Sequence, residues 1–422
     1  MSIYNEDELV PPTWINQDFF EKVLRQYEKN DTIKLTDLQI SPASVKGDHY
    51  ASIMFRCKVS YGCNNNSGDI KQKSLILKTL PMEDGPKRDM LKESSLFETE
   101  IGMYTKALPK IEKILADGGE ATKLAADIIY HSLEPNKVLI FEDLCEAGYT
   151  TIRGRYLTED EIKLVFSKIA RLHAASFILS QTEDKECVTK FEDGMLCSSN
   201  IMAMDFMTSG IVNFIAMLKK HEEFKVYLEK IEAMKSVMLT KSQELYKAYK
   251  LNRGQGDIFV LNHGDFHLRN MMFKFNSDNQ MEDLIMVDYQ ISCYGPSTID
   301  LAYSQYLLMS PEMRARRNIF MLYYFEEFLR VLKRLNFKGQ MPLYSDFQIA
   351  FLKYRHFTLF LLSTILPHVR MILVASTDDL KDVDATKYVE NPEMGAVAYE
   401  HPEFLAEMRH LLPRLLREGF FD

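Results

Sequence analysis

Apolar residues alternate with polar ones through much of the first third of the chain, then recur every three or four positions through most of the remainder. Ile53, Phe55, Cys57 and Val59 interleave with Met54, Arg56 and Lys58, the period of a strand with one buried face. Ser74-Leu75-Ile76-Leu77-Lys78 predicts a second strand after a polar turn at 64–69. Two more strands are predicted at 128–130 and 138–141 around a turn at 134–137. A helix over 13–30 precedes them, carrying Ile15, Phe19, Phe20, Val23, Leu24 and Tyr27 on one face. Another over roughly 87–108 carries Leu91, Leu96, Phe97, Ile101 and Tyr104. Beyond Gly148 the spacing predicts helices: one opened by a Thr158/Glu161 capping box, one over 224–238, and others at 319–335, 347–366 and 404–416. Ser345 and Gln348 have the spacing of a second capping box. Strands with one helix, followed by helices, define an α+β protein. A length of 422 residues exceeds one simple core, so two lobes are expected, 1–145 and 146–422, meeting near 142–149.

Composition narrows the function. A net charge of −9 argues against a general nucleic-acid binder, which would present a basic face. The cluster Arg314, Arg316 and Arg317 is expected on the solvated side of a helix. Six cysteines without a Cys-x-x-Cys pair predict free thiols in a reducing compartment rather than disulfides or zinc ligands. The acidic start at Glu6, Asp7 and Glu8 is unlike a secretory signal, and the most apolar run, 357–366, is too short to span a bilayer. A cytoplasmic location is expected, with no membrane and no obligate protein partner.

The chemistry concentrates in His263-Gly264-Asp265-Phe266-His267-Leu268-Arg269-Asn270, followed by Asp288-Tyr289-Gln290. Transfer of a phosphoryl group to a hydroxyl needs a carboxylate to take the hydroxyl proton and oxygen ligands for the Mg²⁺ that bridges nucleotide phosphates. Asp265 suits the first role, Asn270 and Asp288 the second. Apolar runs at 271–275 and 284–287, separated by Asn276, Ser277, Asp278 and Asn279, predict a hairpin that returns Asp288 beside Asn270.

A nucleotide site also needs a cation on the phosphates. Lys78 ends an apolar strand on the face of Ile76, and a helix with interior carboxylates follows it. Glu100 is the preferred partner, with Glu93 and Glu98 open as alternatives. The turn Lys46-Gly47-Asp48-His49-Tyr50-Ala51-Ser52 stands where a phosphate-covering loop belongs, although it has a single glycine. Phe141-Glu142-Asp143-Leu144 is placed to offer backbone groups to an adenine edge. His173 reads as a hydrogen-bonded core histidine. Asp300 either caps its helix or accepts backbone amides from the 263–265 loop.

Taken together, Gly47-Asp48-His49-Tyr50-Ala51-Ser52, Phe97-Glu98-Thr99-Glu100-Ile101-Gly102-Met103-Tyr104, Phe141-Glu142-Asp143-Leu144, His263-Gly264-Asp265-Phe266 and Asp288-Tyr289-Gln290 resemble the ecdysteroid-kinase-like family of insects. That family is related to the choline-kinase-like and aminoglycoside-phosphotransferase-like enzymes. The resemblance runs from about residue 40 to 413. It implies a protein-kinase-like two-lobed fold and ATP-dependent phosphorylation of a small-molecule hydroxyl. Carried onto these positions, Asp265 is the catalytic base, Asn270 and Asp288 hold Mg²⁺, and Lys78 with Glu100 positions the phosphates. Gly47, Asp48, Ser52, Glu142 and Leu144 are further nucleotide contacts. His267 departs from the aromatic residue that many members place there and resembles the aminoglycoside enzymes, which implies an approach to the γ-phosphate.

The expected acceptor is a bulky alcohol such as an ecdysteroid or xenobiotic. A choline- or ethanolamine-type kinase and a catalytically inactive ligand-binding pseudokinase are the alternatives. An amine would want an aromatic and acidic cage, for which Tyr323, Tyr324, Phe325, Tyr354, Phe357, Glu326 and Glu327 are the candidates. A protein kinase is disfavoured because no Ala-Pro-Glu segment follows Asp288.

Overall fold

A computed structural model describes residues 8–43, 52–63, 70–82, 86–197, 205–251, 256–369 and 392–422. The strand-rich part is one antiparallel sheet of five strands, β1 (Ile33–Pro42), β2 (Ile53–Cys63), β3 (Lys71–Thr79), β4 (Ile128–Ser132) and β5 (Val138–Glu142), in the order β1-β2-β3-β5-β4. The helix α1 (Gln17–Glu28), capped by Asn16, packs Phe20, Val23 and Leu24 against Phe55, Cys57, Val59, Leu75, Leu77 and Ile140 on one sheet face. Alternation therefore turns Met54, Arg56, Ile76 and Lys78 to the opposite face, where Met54 pairs with Lys78 and Arg56 with Ile76. The α+β class and the change to helices after β5 are as the patterning predicts.

β1 carries no clean alternation because a bulge between Leu35 and Asp37 shifts its phase by one residue. The helix expected over 87–108 is divided into α2 (Pro86–Glu93), α3 (Leu96–Gly102), a π-turn at Met103–Ala107 and α4 (Leu108–Asp117). Pro109 lies in the first turn of α4 and lacks an N–H, and the wide turn before it accommodates the ring. The segment around 224–238 is likewise a 3-10 turn, Glu222–Tyr227, then two helices, Leu228–Met234 and Met238–Tyr246. The expected helix over 347–366 breaks at Tyr354, and the arms on either side bend by 58°. Tyr354 and Lys353 both bond Asp257 at 2.6 Å, a distant contact that fixes the break. That helix begins at Tyr344 with Leu343 at its cap, so Ser345 lies inside the first turn and forms no capping box. Thr158 and Glu161 do form theirs, opening α5 (Glu159–Leu179).

The second hydrophobic cluster is continuous from Phe97 through Leu139 and Phe141 to Phe421, so α3 and α4 share a core with the helical part. The expectation for the arginines needs correction. Only Arg316 of the three is exposed. Arg314 is 2% exposed, donating to the carbonyls of Gln305, Tyr306 and Met309 at 2.8, 3.2 and 2.6 Å and to Glu407 at 2.5 Å. Its guanidinium is buried because it satisfies the carbonyls at the end of the helix Thr298–Leu307. Arg317 is also buried and pairs with Glu418. All six cysteines are free. Among the described residues, no single helix is long and apolar enough to cross a membrane.

Candidate active site

Strands β8 (Met271–Phe275) and β9 (Met281–Met286) form the predicted hairpin, and the short β6 (Tyr149–Thr150) pairs with β8. Asn276 Oδ1 accepts from the amides of Asp278 and Gln280 at 3.0 and 2.9 Å, and Asn279 takes φ +57°, a turn suited to asparagine. At the open end Met271 pairs with Met286, and Val287 N–H donates to Asn270 O at 3.0 Å. The strands thus bring Asn270 and Asp288 side by side, as the spacing requires.

The 263–270 loop leaves a strand that sequence patterning did not reveal, β7 (Phe259–Asn262), paired with β10 (Cys293–Pro296). Gly264 sits at φ +86°, and a Cβ there would lie 2.1 Å from Ile291 O, so glycine is required. Asp300 is fully buried and accepts the amides of His263 and Gly264 at 2.7 and 2.9 Å, the second of the two roles open to it. His173, equally buried, faces Asp300 through Nε2 at 3.1 Å and Tyr324 OH through Nδ1 at 2.7 Å. The small neighbours Ala170, Ala174 and Ala175 let α5 come close enough for this contact. His263 donates through Nε2 to Val287 O at 2.9 Å, and burial holds its imidazole below the usual range.

Asp265 Oδ2 accepts Asn270 Nδ2 at 2.9 Å and faces His267 Nε2 at 3.3 Å. Burial pushes the Asp265 carboxyl up, but His267, His263 and Asn270 outweigh it and hold the group below its ordinary value. His267 Nδ1 accepts Arg269 N–H at 3.2 Å, which leaves the Nε2 proton for Asp265. Both ring nitrogens of His267 therefore face groups of its own loop. Asn270 also donates from Nδ2 to Asp265 O at 3.0 Å, so Oδ1 is the end free to serve a cation.

Lys78 is 3% exposed and donates to Glu100 Oε2 at 2.6 Å, Asp288 Oδ1 at 2.7 Å and Gln290 Oε1 at 3.3 Å. The partner left open is thus Glu100; Glu98 pairs with Lys137 at 3.0 Å instead. Burial opposes the Lys78 ammonium, but the two carboxylates raise it well above its ordinary value. Burial raises the Glu100 carboxyl, and the Lys78 ammonium opposes that rise. One ammonium between two carboxylates leaves excess negative charge beside Asp265, which a divalent cation would offset. Asp288 holds φ +65°, a left-handed backbone that aspartate tolerates.

The remaining candidates lie at opposite ends of β3, Ser52 toward Thr79 and Glu142 beside Leu75. Ser52 is buried just ahead of Ile53, which pairs with Thr79. Gly47 and Asp48 lie outside the described residues. Leu144 is buried at the turn after β5, and the Glu142 carboxylate is engaged by Lys123 and by Asp127 N–H at 2.9 Å. Asp143 closes this link by accepting Arg56 and Ser74 Oγ, each at 2.7 Å.

The donor set fits Mg²⁺. Asn270 and Asp288 offer hard oxygen ligands, and Mg²⁺ commonly takes one or two carboxylates with the rest from water and phosphates. Among the described residues no three His, Cys, Asp or Glu side chains form a self-sufficient metal cage. Of the amine-cage candidates, Tyr323 OH and Glu327 Oε2 both meet Ser167 Oγ, at 2.9 and 3.2 Å. Tyr324, Phe325 and Phe357 are core residues, and Glu327 bonds Arg330 at 3.1 Å. A small gap between helices, lined by residues such as Phe214, Met234, Leu362 and Ser363, shares no lining residue with the Asp265–Lys78 cluster. The cluster is identified by its chemistry and not by that gap. Gln290 bridges Lys78 and Asp288, and its place two residues after Asp288 is the one sign of it that the sequence offers.

The model of the ecdysteroid kinase-like family matches residues 46–337, more than half of the chain. Curated proteins provide no match. Solved structures similar to this one include a spectinomycin phosphotransferase in complex with ADP and spectinomycin, with 13% identity and a TM-score of 0.39 over 92% of this chain and 99% of that one. An ADP-bound aminoglycoside phosphotransferase has 14% identity and a TM-score of 0.36 over 91% of this chain and 99% of its own. A Plasmodium vivax ethanolamine kinase has 13% identity and a TM-score of 0.34 over 96% of this chain and 93% of its own. These are distant likenesses. The extent of the family match, over a span that holds every residue of the cluster, makes the chain a member of the ecdysteroid kinase-like family, a group of small-molecule kinases.

Proposed function

We propose that the protein transfers the γ-phosphoryl group of ATP to a hydroxyl of a bulky, largely apolar alcohol such as an ecdysteroid or xenobiotic, using Mg²⁺. The observation that carries this reading is the convergence of Lys78, Glu100, Asp288, Asn270 and Asp265 from sheet, helix, hairpin and loop. Asp265 takes the acceptor proton on Oδ1, since Oδ2 is held by Asn270 and His267. His267 keeps that carboxylate ionised and oriented. Lys78, held by Glu100, pairs with the nucleotide phosphates, and the Phe141–Leu144 link lies against the base. Held by Asn270 Oδ1 and Asp288, Mg²⁺ would supply charge neutralisation on the phosphates. Cytoplasmic ATP suits this role.

Burial of Tyr324 and Phe357 in the core, with the Glu327 carboxylate already engaged by Arg330, supports an uncharged acceptor over choline. ATP turnover by the purified protein, measured against ecdysteroids, phenolic glucosides and amine alcohols, tests the reading. Mg²⁺-dependent transfer to one of the bulky alcohols is expected. Faster turnover with choline than with every steroid or xenobiotic alcohol would overturn the acceptor class.

A further inference from the structure

Lys78 and Asp288 come from elements 210 residues apart. An aspartate held by one flexible lysine still turns about its own side-chain bonds, yet a metal ligand must present a fixed oxygen. Gln290 removes that freedom. Its Nε2 donates to Asp288 Oδ2 at 3.3 Å, while its Oε1 accepts from Lys78 Nζ at 3.3 Å. An amide has both capacities, on two separate atoms and without charge. Its orientation here is set by its neighbours, because NH₂ must face the carboxylate and oxygen the ammonium. The two Asp288 oxygens are thereby fixed by donors from different residues, Oδ1 by Lys78 and Oδ2 by Gln290. A carboxylate at this position would add a further negative charge beside Glu100, Asp288 and Asp265 and would have no hydrogen to give Asp288.

We propose that Gln290 is a positioning residue that sets the plane of the Asp288 carboxylate and couples it to Lys78, so that metal and nucleotide are bound as one unit. The inference rests on the proposed Mg·ATP site. Lys78 keeps its 2.6 Å contact with Glu100 without Gln290, so the predicted defect falls on the metal side.

Gln290→Met preserves length and apolar bulk while deleting both polar ends. Binding of a non-hydrolysable ATP analogue is measured by titration calorimetry without metal and across a Mg²⁺ series, with thermal melting of each protein alongside; Gln290→Ala serves as the second variant. The expected result is metal-free nucleotide affinity within about twofold of wild type and a roughly tenfold rise in the Mg²⁺ needed for half-maximal binding, the scale of one lost hydrogen bond to a charged group. An unchanged Mg²⁺ requirement in both variants overturns the inference. So does an equal loss with and without metal accompanied by lower melting, which is the signature of packing alone. Wild-type protein that binds the analogue without any Mg²⁺ dependence would overturn the functional reading itself, a result distinct from a defect or its absence in the variants.

Discussion

Removal of the Asp300 carboxylate should damage both stability and catalysis, and the structure sets the scale. The side chain is fully buried, accepts two backbone amides at 2.7 and 2.9 Å and faces His173 at 3.1 Å. In Asp300→Ala the amides of His263 and Gly264 and one nitrogen of His173 are left buried without that acceptor. A buried donor left unsatisfied costs about 1–3 kcal/mol, and breaking a buried charged contact about 3–5 kcal/mol. These contributions share one carboxylate and do not add fully. A loss of about 3–5 kcal/mol is expected, a large part of the roughly 5–15 kcal/mol that holds a typical domain. Asp300→Asn keeps one acceptor oxygen but turns an NH₂ toward a donor, and should lose about half as much. The loop that carries Asp265 would shift with its amides, and a displacement near 1 Å costs on the order of 10²-fold in rate. Urea unfolding gives the stability and single-turnover phosphoryl transfer gives the rate, both on the same samples. His173→Phe adds a control: it deletes one contact to Asp300 and leaves both amide bonds. An Asp300→Ala protein within 1 kcal/mol of wild type with unaltered turnover would refute the claim that this carboxylate pins the loop.

Two further outcomes follow from the geometry. Gly264→Ala places a Cβ 2.1 Å from Ile291 O at φ +86° and should destabilise the protein by about 2–4 kcal/mol, visible as a lower urea midpoint; no change there would contradict the assigned backbone. Burial lowers the His368 imidazole to about 4, so between pH 6.5 and about 4 the unfolded chain binds a proton that the folded chain does not. That contribution to stability is fully present above pH 6.5 and is lost as pH falls through the window, with a slope of up to about 1.4 kcal/mol per pH unit. His368→Gln should flatten the pH dependence of unfolding, and an unaltered slope would remove His368 as its source.

What sequence pattern could and could not disclose divides along physical lines. Strands β2, β3 and β5, helix α1 and the hairpin β8–β9 follow from local periodicity, because one buried face writes its spacing into the chain. β1 escaped because a single bulge reverses its phase. The breaks at Met103–Ala107 and Tyr354 escaped for different reasons, a proline in the next turn and a bond to Asp257. Arg314 reads as solvated because it stands in a cluster of arginines, whereas its burial comes from helix carbonyls that only tertiary structure brings to it. The grouping of Asp265, Asn270 and Asp288 is legible because the hairpin between them can be read from its apolar runs and turn residues. The preference for Glu100 holds, but Glu98 lies on the same short helix, and packing against Lys78 and Lys137 is what separates the two. Asp300 showed the same ambiguity, resolved by which backbone amides lie over it.

The central claim is a division of labour between Asp265 and Asp288, and nucleotide titration beside single-turnover kinetics tests it most directly. A non-hydrolysable ATP analogue is titrated with and without Mg²⁺ into wild type, Asp265→Asn and Asp288→Ala, and the transfer rate to the best alcohol acceptor is measured for each. Asp265→Asn should bind Mg·nucleotide nearly as wild type and lose about 10²–10⁴-fold in rate, the contribution of a positioned acid–base group. Asp288→Ala should lose the Mg²⁺-dependent part of binding together with turnover, because it deletes an anionic ligand of the ion. Equal loss of Mg·nucleotide binding in both variants, or unchanged turnover in Asp265→Asn, would contradict the account.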